Sequence, residues 1–176
     1  SEAKFYRVDI RDQAQLKDVF ESEAVEYVIH QAAQIDVQRS LEEPTFDAEN
    51  NILGTINLLE CCKDYDIQQI VYASSAAVYG QPQYLGIDEE HPINPLSGYG
   101  ISKYTPEHYI KAYHNLYDLD YTILRYANVY GPRQDSTGEG GVISIFANLI
   151  LHNKRPVIFG DGQQTRDFIY VADIAR

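Results

Sequence analysis

Apolar positions along this chain fall into short runs, some with the period of a strand and some with that of a helix. "FYRVDI" (5–10) is rich in β-formers, and "DQAQLKDVFES" (12–22) spaces Leu16, Val19 and Phe20 as a helix does, behind an acidic start. "VEYVIHQAA" (25–33) reads as a buried strand running into a loop of small residues. The stretch 45–65 predicts a long helix through Phe46, Ile52, Ile56, Leu59 and Cys62, and "IQQIVYASSAAVYG" (67–80) a strand closing on a Ser/Ala run. Three prolines make 81–98 a loop, and 99–118 is helical despite Pro106. Strand "YTILRYANVYG" (121–131), the glycine-rich loop "TGEGG" (137–141) and helix 142–153 follow. Short strands "PVIFG" (156–160) and "RDFIYV" (166–171) come next, and "VADIAR" (171–176) opens a helix.

Strand and helix thus alternate with short connections. That order implies an α/β fold, a parallel sheet with helices on both faces. Ligands of such sheets sit outside the carboxyl ends of the strands. Three segments fall there, "HQAAQ" (30–34), "SSAAVYG" (74–80) and "YANVYG" (126–131), all built of small or hydroxylated residues that let a ligand approach the backbone.

Charge narrows the partners. A net charge of −12 argues against nucleic acid and anionic membranes. No apolar run approaches the roughly 18 residues of a membrane span, so the cytoplasm is the expected location. Adjacent Cys61 and Cys62 point in different directions from a helix, which suits packing thiols and neither a disulfide nor a metal site. No metal site is expected. The chain contains no methionine and both ends fall within predicted elements, so it reads as the middle of a longer protein.

"SGYGISK" (97–103) carries the candidate chemistry. Tyr99 and Lys103 are four residues apart, so a helix brings both to one face. An ammonium nearby favours phenolate and is expected to lower the tyrosine pKa from about 10. Such a phenol can take a proton from an alcohol while hydride leaves the same carbon. With 15 tyrosines in the chain the spacing alone is weak, since chance supplies it readily. Ser74 and Ser75, closing the preceding strand, strengthen it: a hydroxyl there can bond the same substrate oxygen.

Serine, tyrosine and lysine in this order, with "VDIRD" (8–12), "VIHQAAQ" (28–34), "NNILGTINLLE" (50–60), "YASSAAVYG" (72–80), "LRYANVYGPRQ" (124–134) and "VIFGDGQQTRDFIYV" (157–171), resemble the extended short-chain dehydrogenase/reductase family. Within it the chain is most similar to the nucleotide-sugar 4-epimerases. The resemblance implies a doubly wound, Rossmann-like fold, NAD as cofactor and a UDP-sugar substrate epimerised at C4 through a transient 4-keto intermediate.

It further implies that Tyr99 is the acid/base, that Lys103 modulates its pKa and anchors a ribose, and that Ser75 bonds the reacting hydroxyl. Asp9 and Ile10 would border the adenine. Gln31, Ala32, Ala33 and Gln34 would line the dinucleotide, with Asn50 holding that loop or the cofactor, and with Ser74 and Ala127 also near it. Asn128 would lie near the sugar diphosphate, and Val142, Val157 and Phe159 would bracket the nucleotide. Arg166 would pair with the pyrophosphate, a bidentate task that suits guanidinium, with Asp167 placed to orient it. Residues 1–132 would be part of a dinucleotide-binding domain and 133–176 part of a nucleotide-sugar-binding region. The helices at 45–65 and 99–118 would pair in a homodimer, the second bearing a stripe of Tyr109, Tyr113 and Tyr117.

Relatives that eliminate water place acidic residues directly after the Ser/Thr, and related decarboxylases tend to carry a glutamate there. Ala76 and Ala77 stand there in this chain and speak against both. A non-catalytic NAD-binding relative or an inactive fragment remains a rival reading. The family's glycine-rich G-x-x-G-x-x-G fingerprint, with its strand–helix unit, and its C-terminal lobe are not found in these residues. The chain alone is therefore expected to expose a sheet edge, to bind NAD weakly or not at all, and to be inactive.

Overall fold

A computed structural model describes residues 3–137 and 141–176. The chain divides into two compact units, Ser1–Arg125 and Tyr126–Arg176.

In the first unit, strand β1 (Tyr27–His30) pairs in parallel with β2 (Gln69–Ser75), with Tyr27 opposite Gln69 and His30 opposite Tyr72. Strand β3 (Asp120–Tyr126) completes a sheet ordered β1-β2-β3. Side chains alternate across a strand. On β1, His30 is buried and Val28 half-buried, whereas Tyr27 and Ile29 are exposed. Three helices pack around the buried face: α1 (Gln13–Ser22), α4 (Gly54–Asp64) and α5 (Gly98–Tyr117). Asp12 caps α1 by accepting from the backbone N–H of Gln15. Leu16 and Phe20 of α1, Leu58, Leu59 and Cys62 of α4, Ile110 of α5, and Ile70 and Tyr72 of β2 form one core. Both cysteines are buried in it, and burial pushes the Cys62 thiol up to about 12, the behaviour of a packing residue.

The predicted helix over 45–65 is built in three parts. A short helix α2 (Val37–Glu42), which the apolar pattern does not single out, leads into α3 (Pro44–Ala48). A π-helical turn at Glu49–Leu53 then joins α3 to α4. Such a turn accommodates one residue more than an α-turn.

Three of the predicted strands up to residue 131 differ in the structure. Residues 5–10 form no strand and end in a turn at Ile10, since a strand exists only through its ladder. The run 67–80 ends as strand at Ser75, whose hydroxyl accepts from the N–H of Ala77 and turns the chain into a 3-10 segment, Ala76–Tyr79. The run 121–131 breaks at Ala127, whose carbonyl accepts from Val129.

In the second unit, β4 (Asn128–Tyr130) pairs in parallel with β5 (Phe168–Tyr170), accompanied by α6 (Val142–Leu151) and α7 (Val171–Ile174). Residues 156–160 are not strand. The loop predicted over 137–141 falls largely on residues 138–140, outside the described ones. Among the described residues no helix is long and apolar enough to cross a membrane.

Candidate active site

Helix α5 begins at the candidate chemistry. Ser97 caps it, its hydroxyl accepting from the N–H of Gly100 at 3.1 Å. The glycines flanking Tyr99 permit two close approaches. A Cβ at position 98 would lie 2.7 Å from the carbonyl oxygen of Ser40, and one at position 100 would lie 2.8 Å from that of Ala77. Only glycine therefore lets the first turn of α5 press against α2 and the segment following β2. Tyr99 is thereby brought beside Ser75, whose hydroxyl favours the ionised form of the phenol.

Electrostatics at this pair differ from the sequence-based expectation. Burial raises the Tyr99 phenol above its ordinary value, the hydrogen bond from Ser75 opposes that rise, and the carboxylate of Asp47 adds to it. The expected lowering by Lys103 does not occur in this chain. Lys103 is itself 4% exposed, and burial brings its ammonium down to about 8, a fall that Asp47 resists. Its amine sits 4.7 Å from the centre of the Tyr72 ring. Desolvation outweighs the charge partner, because a phenolate and an ammonium both lose more on leaving water than this arrangement returns.

A second set of groups, which the sequence reading did not single out, braces the site. Asn51, in the π-helical turn, accepts from the N–H of Gln34 at 2.8 Å and donates to its carbonyl at 3.0 Å. It also donates to Ser102 at 2.9 Å, and Ser102 donates to the carbonyl of Tyr99 at 3.1 Å. The loop after β1 is thus tied to the first turn of α5. Buried Asp47 accepts from Gln34 at 2.8 Å and from Asn51 at 3.2 Å. His30 bonds Thr55 at 2.9 Å, and Thr55 gives its own proton to the carbonyl of Asn51, so Nε2 of His30 is the protonated nitrogen. Burial and the charge of Lys103 bring His30 down to about 4. The signal for Asn51 and Asp47 lay in polar residues set amid helical apolar positions.

The other predicted residues separate into groups. Asp9, Ile10, Ala32, Ala33 and Asn50 line one cavity of about 600 Å³, with Arg7, Val8 and Gln15. Asp9 is held by Arg11, which lowers its carboxyl to about 2. Asn50 donates to the carbonyl of Phe46 at 2.7 Å, while bracing of the loop falls to its neighbour Asn51. Gln31 is exposed at the head of that loop, whereas Gln34 is buried in the network just described. Ser74 is buried and donates to Glu107 at 2.6 Å.

In the second unit, Ala127 precedes β4, and Asn128 bonds the carbonyl of Asp167 through both its backbone N–H and its side chain. Val142 opens α6, and Val157 and Phe159 are 64% and 84% exposed. Arg166 donates to the carbonyl of Thr165 at 2.8 Å, and no ion pair among the described residues joins it to Asp167.

The sequence profile of the "NAD dependent epimerase/dehydratase family" matches residues 1–176. The chain belongs to that family. A relative described as a putative UDP-glucose 4-epimerase, from Methanocaldococcus jannaschii, is 59% identical over 99% of this chain and 57% of its own length. UDP-glucose 4-epimerase from Thermotoga maritima, solved with UDP-glucose, superposes with a TM-score of 0.95 at 41% identity, over 98% of this chain and 56% of that one. The Thermus thermophilus UDP-glucose 4-epimerase, solved with NAD, gives a TM-score of 0.91 at 43% identity, over 97% and 57%. The chain spans somewhat more than half the length of these family members. Its cavity has the size that part of a dinucleotide needs, with Ala32 and Ala33 leaving the backbone open and Asp9 and Asn50 offering polar partners, so the residues present fit the family's cofactor.

Proposed function

We propose that the protein carrying this sequence epimerises a UDP-sugar at C4, of the UDP-glucose/UDP-galactose type, with NAD as cofactor and through a transient 4-keto sugar. One observation carries the reading: half-buried Ser75 and Tyr99 face each other beside buried Lys103, one helical turn along α5.

Tyr99 takes the proton of the C4 hydroxyl and later returns one. Ser75 shares the hydrogen bond to that oxygen and steadies the phenol. Lys103 supplies positive charge to the cluster and a donor for a ribose hydroxyl. NAD, when bound, would supply a reversible hydride acceptor for C4, so that no net oxidation occurs. The cavity of Asp9, Ile10, Ala32, Ala33 and Asn50 would hold the adenosine side of the cofactor, with Gln31, Gln34 and Ala127 along it. Asn128, Val142, Val157, Phe159 and Arg166 would hold the nucleotide sugar. Ala76 and Ala77 transfer no protons, which favours epimerisation over 4,6-dehydration or decarboxylation at the same scaffold.

The decisive experiment uses the full-length protein with UDP-galactose. Wild type is expected to form UDP-glucose, and Tyr99→Phe to lose about 10²–10⁴-fold in turnover. Residues 1–176 alone are expected to show none. A wild type without turnover, or full activity in Tyr99→Phe, overturns the reading, and turnover by the isolated segment overturns only the expectation that it is inactive alone.

The homodimer belongs to the same proposal. Tyr109 and Tyr117 are exposed on α5, while Tyr113 bonds Glu60 of α4 within the chain. The exposed pair offers an aromatic surface to a second copy. Sedimentation equilibrium of the full-length protein is expected to give a dimer, and a monomer at high concentration overturns this.

A further inference from the structure

Glu107 lies one turn past Lys103 on α5 and has no exposed surface. A buried carboxylate is costly unless its charge and its lone pairs are matched. Arg125, on β3, matches the charge: its Nε is 3.0 Å from Oε1 and its Nη2 2.7 Å from Oε2. The remaining nitrogen of that guanidinium, Nη1, donates to the hydroxyl of Tyr79 at 2.9 Å. Oε1 of Glu107 also accepts from the hydroxyl of Ser74 at 2.6 Å. One carboxylate therefore joins α5 to the end of β2, to β3 and, through Arg125, to the 3-10 segment after β2.

We infer that Glu107 is a positioning residue for the Ser75–Tyr99 pair, holding the carboxyl end of β2 in register against α5 through Ser74. The inference rests on the reading above for what the pair does, but not for how it is held. Two bonds set the register. Tyr72 donates to the carbonyl of Lys103 at 3.2 Å, and Ser74 donates to Glu107 at 2.6 Å. Tyr72 and Ser74 are two residues apart on a strand, about 6.6 Å. Lys103 and Glu107 are four apart on a helix, about 6 Å. Both bonds join β2 to α5, so a slip of one residue along either element breaks both.

Ser75 follows Ser74 directly, so its place is set by the same anchor. Its hydroxyl accepts from the N–H of Ala77 at 3.1 Å and meets Tyr99, one turn before Lys103. A Glu107 that only neutralised Arg125 would stabilise the fold, yet cutting Ser74 away from it would leave Ser75 undisturbed. Holding and neutralising thus make different predictions.

The test compares Ser74→Ala, Glu107→Gln and the double variant in the full-length protein, by amide hydrogen exchange read by nuclear magnetic resonance. Ser74→Ala leaves the Glu107–Arg125 pair intact, so it reports on the clamp even should Glu107→Gln fail to fold. Exchange at Ala77 is expected to quicken about fivefold or more in Ser74→Ala, with exchange at Leu59 unchanged. Glu107→Gln also removes the charge partner of Arg125 and is expected to quicken exchange at Ala77 more than at Leu59, and adding Ser74→Ala to it is expected to change Ala77 little further. Turnover is expected to fall about tenfold with KM within about twofold of wild type. Unchanged exchange at Ala77 in Ser74→Ala, or equal acceleration at Ala77 and Leu59, overturns the inference. A wild type without epimerase activity would overturn the functional reading, and exchange at Ala77 would still decide the clamp.

Discussion

In the first unit, Asp47, Asn51 and Lys103 are buried, Ser75 and Tyr99 are half-buried, and Asn51 ties Asp47 through Ser102 to the first turn of α5. In the second, Val157 and Phe159 face outward at 64% and 84% exposure, and Arg166 bonds the carbonyl of its own neighbour. The difference follows from what each set has to do. A group that moves a proton works only within a few tenths of an ångström of its target, so its setting must exist before any ligand arrives. Groups that enclose a ligand can be completed by that ligand, which supplies the apolar and charged surface they lack.

The contrast can be broken by substitution. Leu59 is fully buried between α4 and its neighbours, and Leu59→Ala is expected to destabilise the fold by about 3 kcal/mol. Phe159→Ala is expected to stay within about 0.5 kcal/mol of wild type. Chemical denaturation of the two variants measures the gap, and equal losses would erase the distinction drawn between the units.

Acid sharpens it further. His30 is held at about 4 when folded, against 6.5 for the unconstrained side chain. Between those values the unfolded chain binds the extra proton and the folded chain does not, so stability rises with pH through this window. The contribution is complete above about 6.5 and is lost as pH falls towards 4. Lowering the pH from 7 to 5 is expected to remove about 2 kcal/mol through this one residue. Denaturation midpoints of wild type and His30→Gln at the two pH values read it as a difference. The same pH sensitivity in both proteins would show that His30 is not the source.

Periodicity made β1, β2 and α5 legible, and the interval of four residues put Tyr99 and Lys103 on one helical face. What stayed hidden depends on tertiary surroundings. The sequence shows an amine near a phenol but not the dry pocket around both, so the sign of the Tyr99 shift came out reversed. Asn50 and Asn51 are adjacent and chemically identical, and only the wide turn containing them decides which one faces Gln34. Residues 5–10 have strand-forming side chains, yet a ladder requires a partner that local sequence cannot supply. Glu107 looks like an ordinary charge on a helix until Arg125, 18 positions later, is folded against it.

That wide turn at Glu49–Leu53 has one more consequence. A helical wheel drawn straight across 45–65 puts everything beyond the turn out of phase, by about 100° for the single surplus residue. A one-residue deletion there would make a more regular helix and a worse protein. It would swing the ridge of Leu58, Leu59 and Cys62 away from the strands it covers.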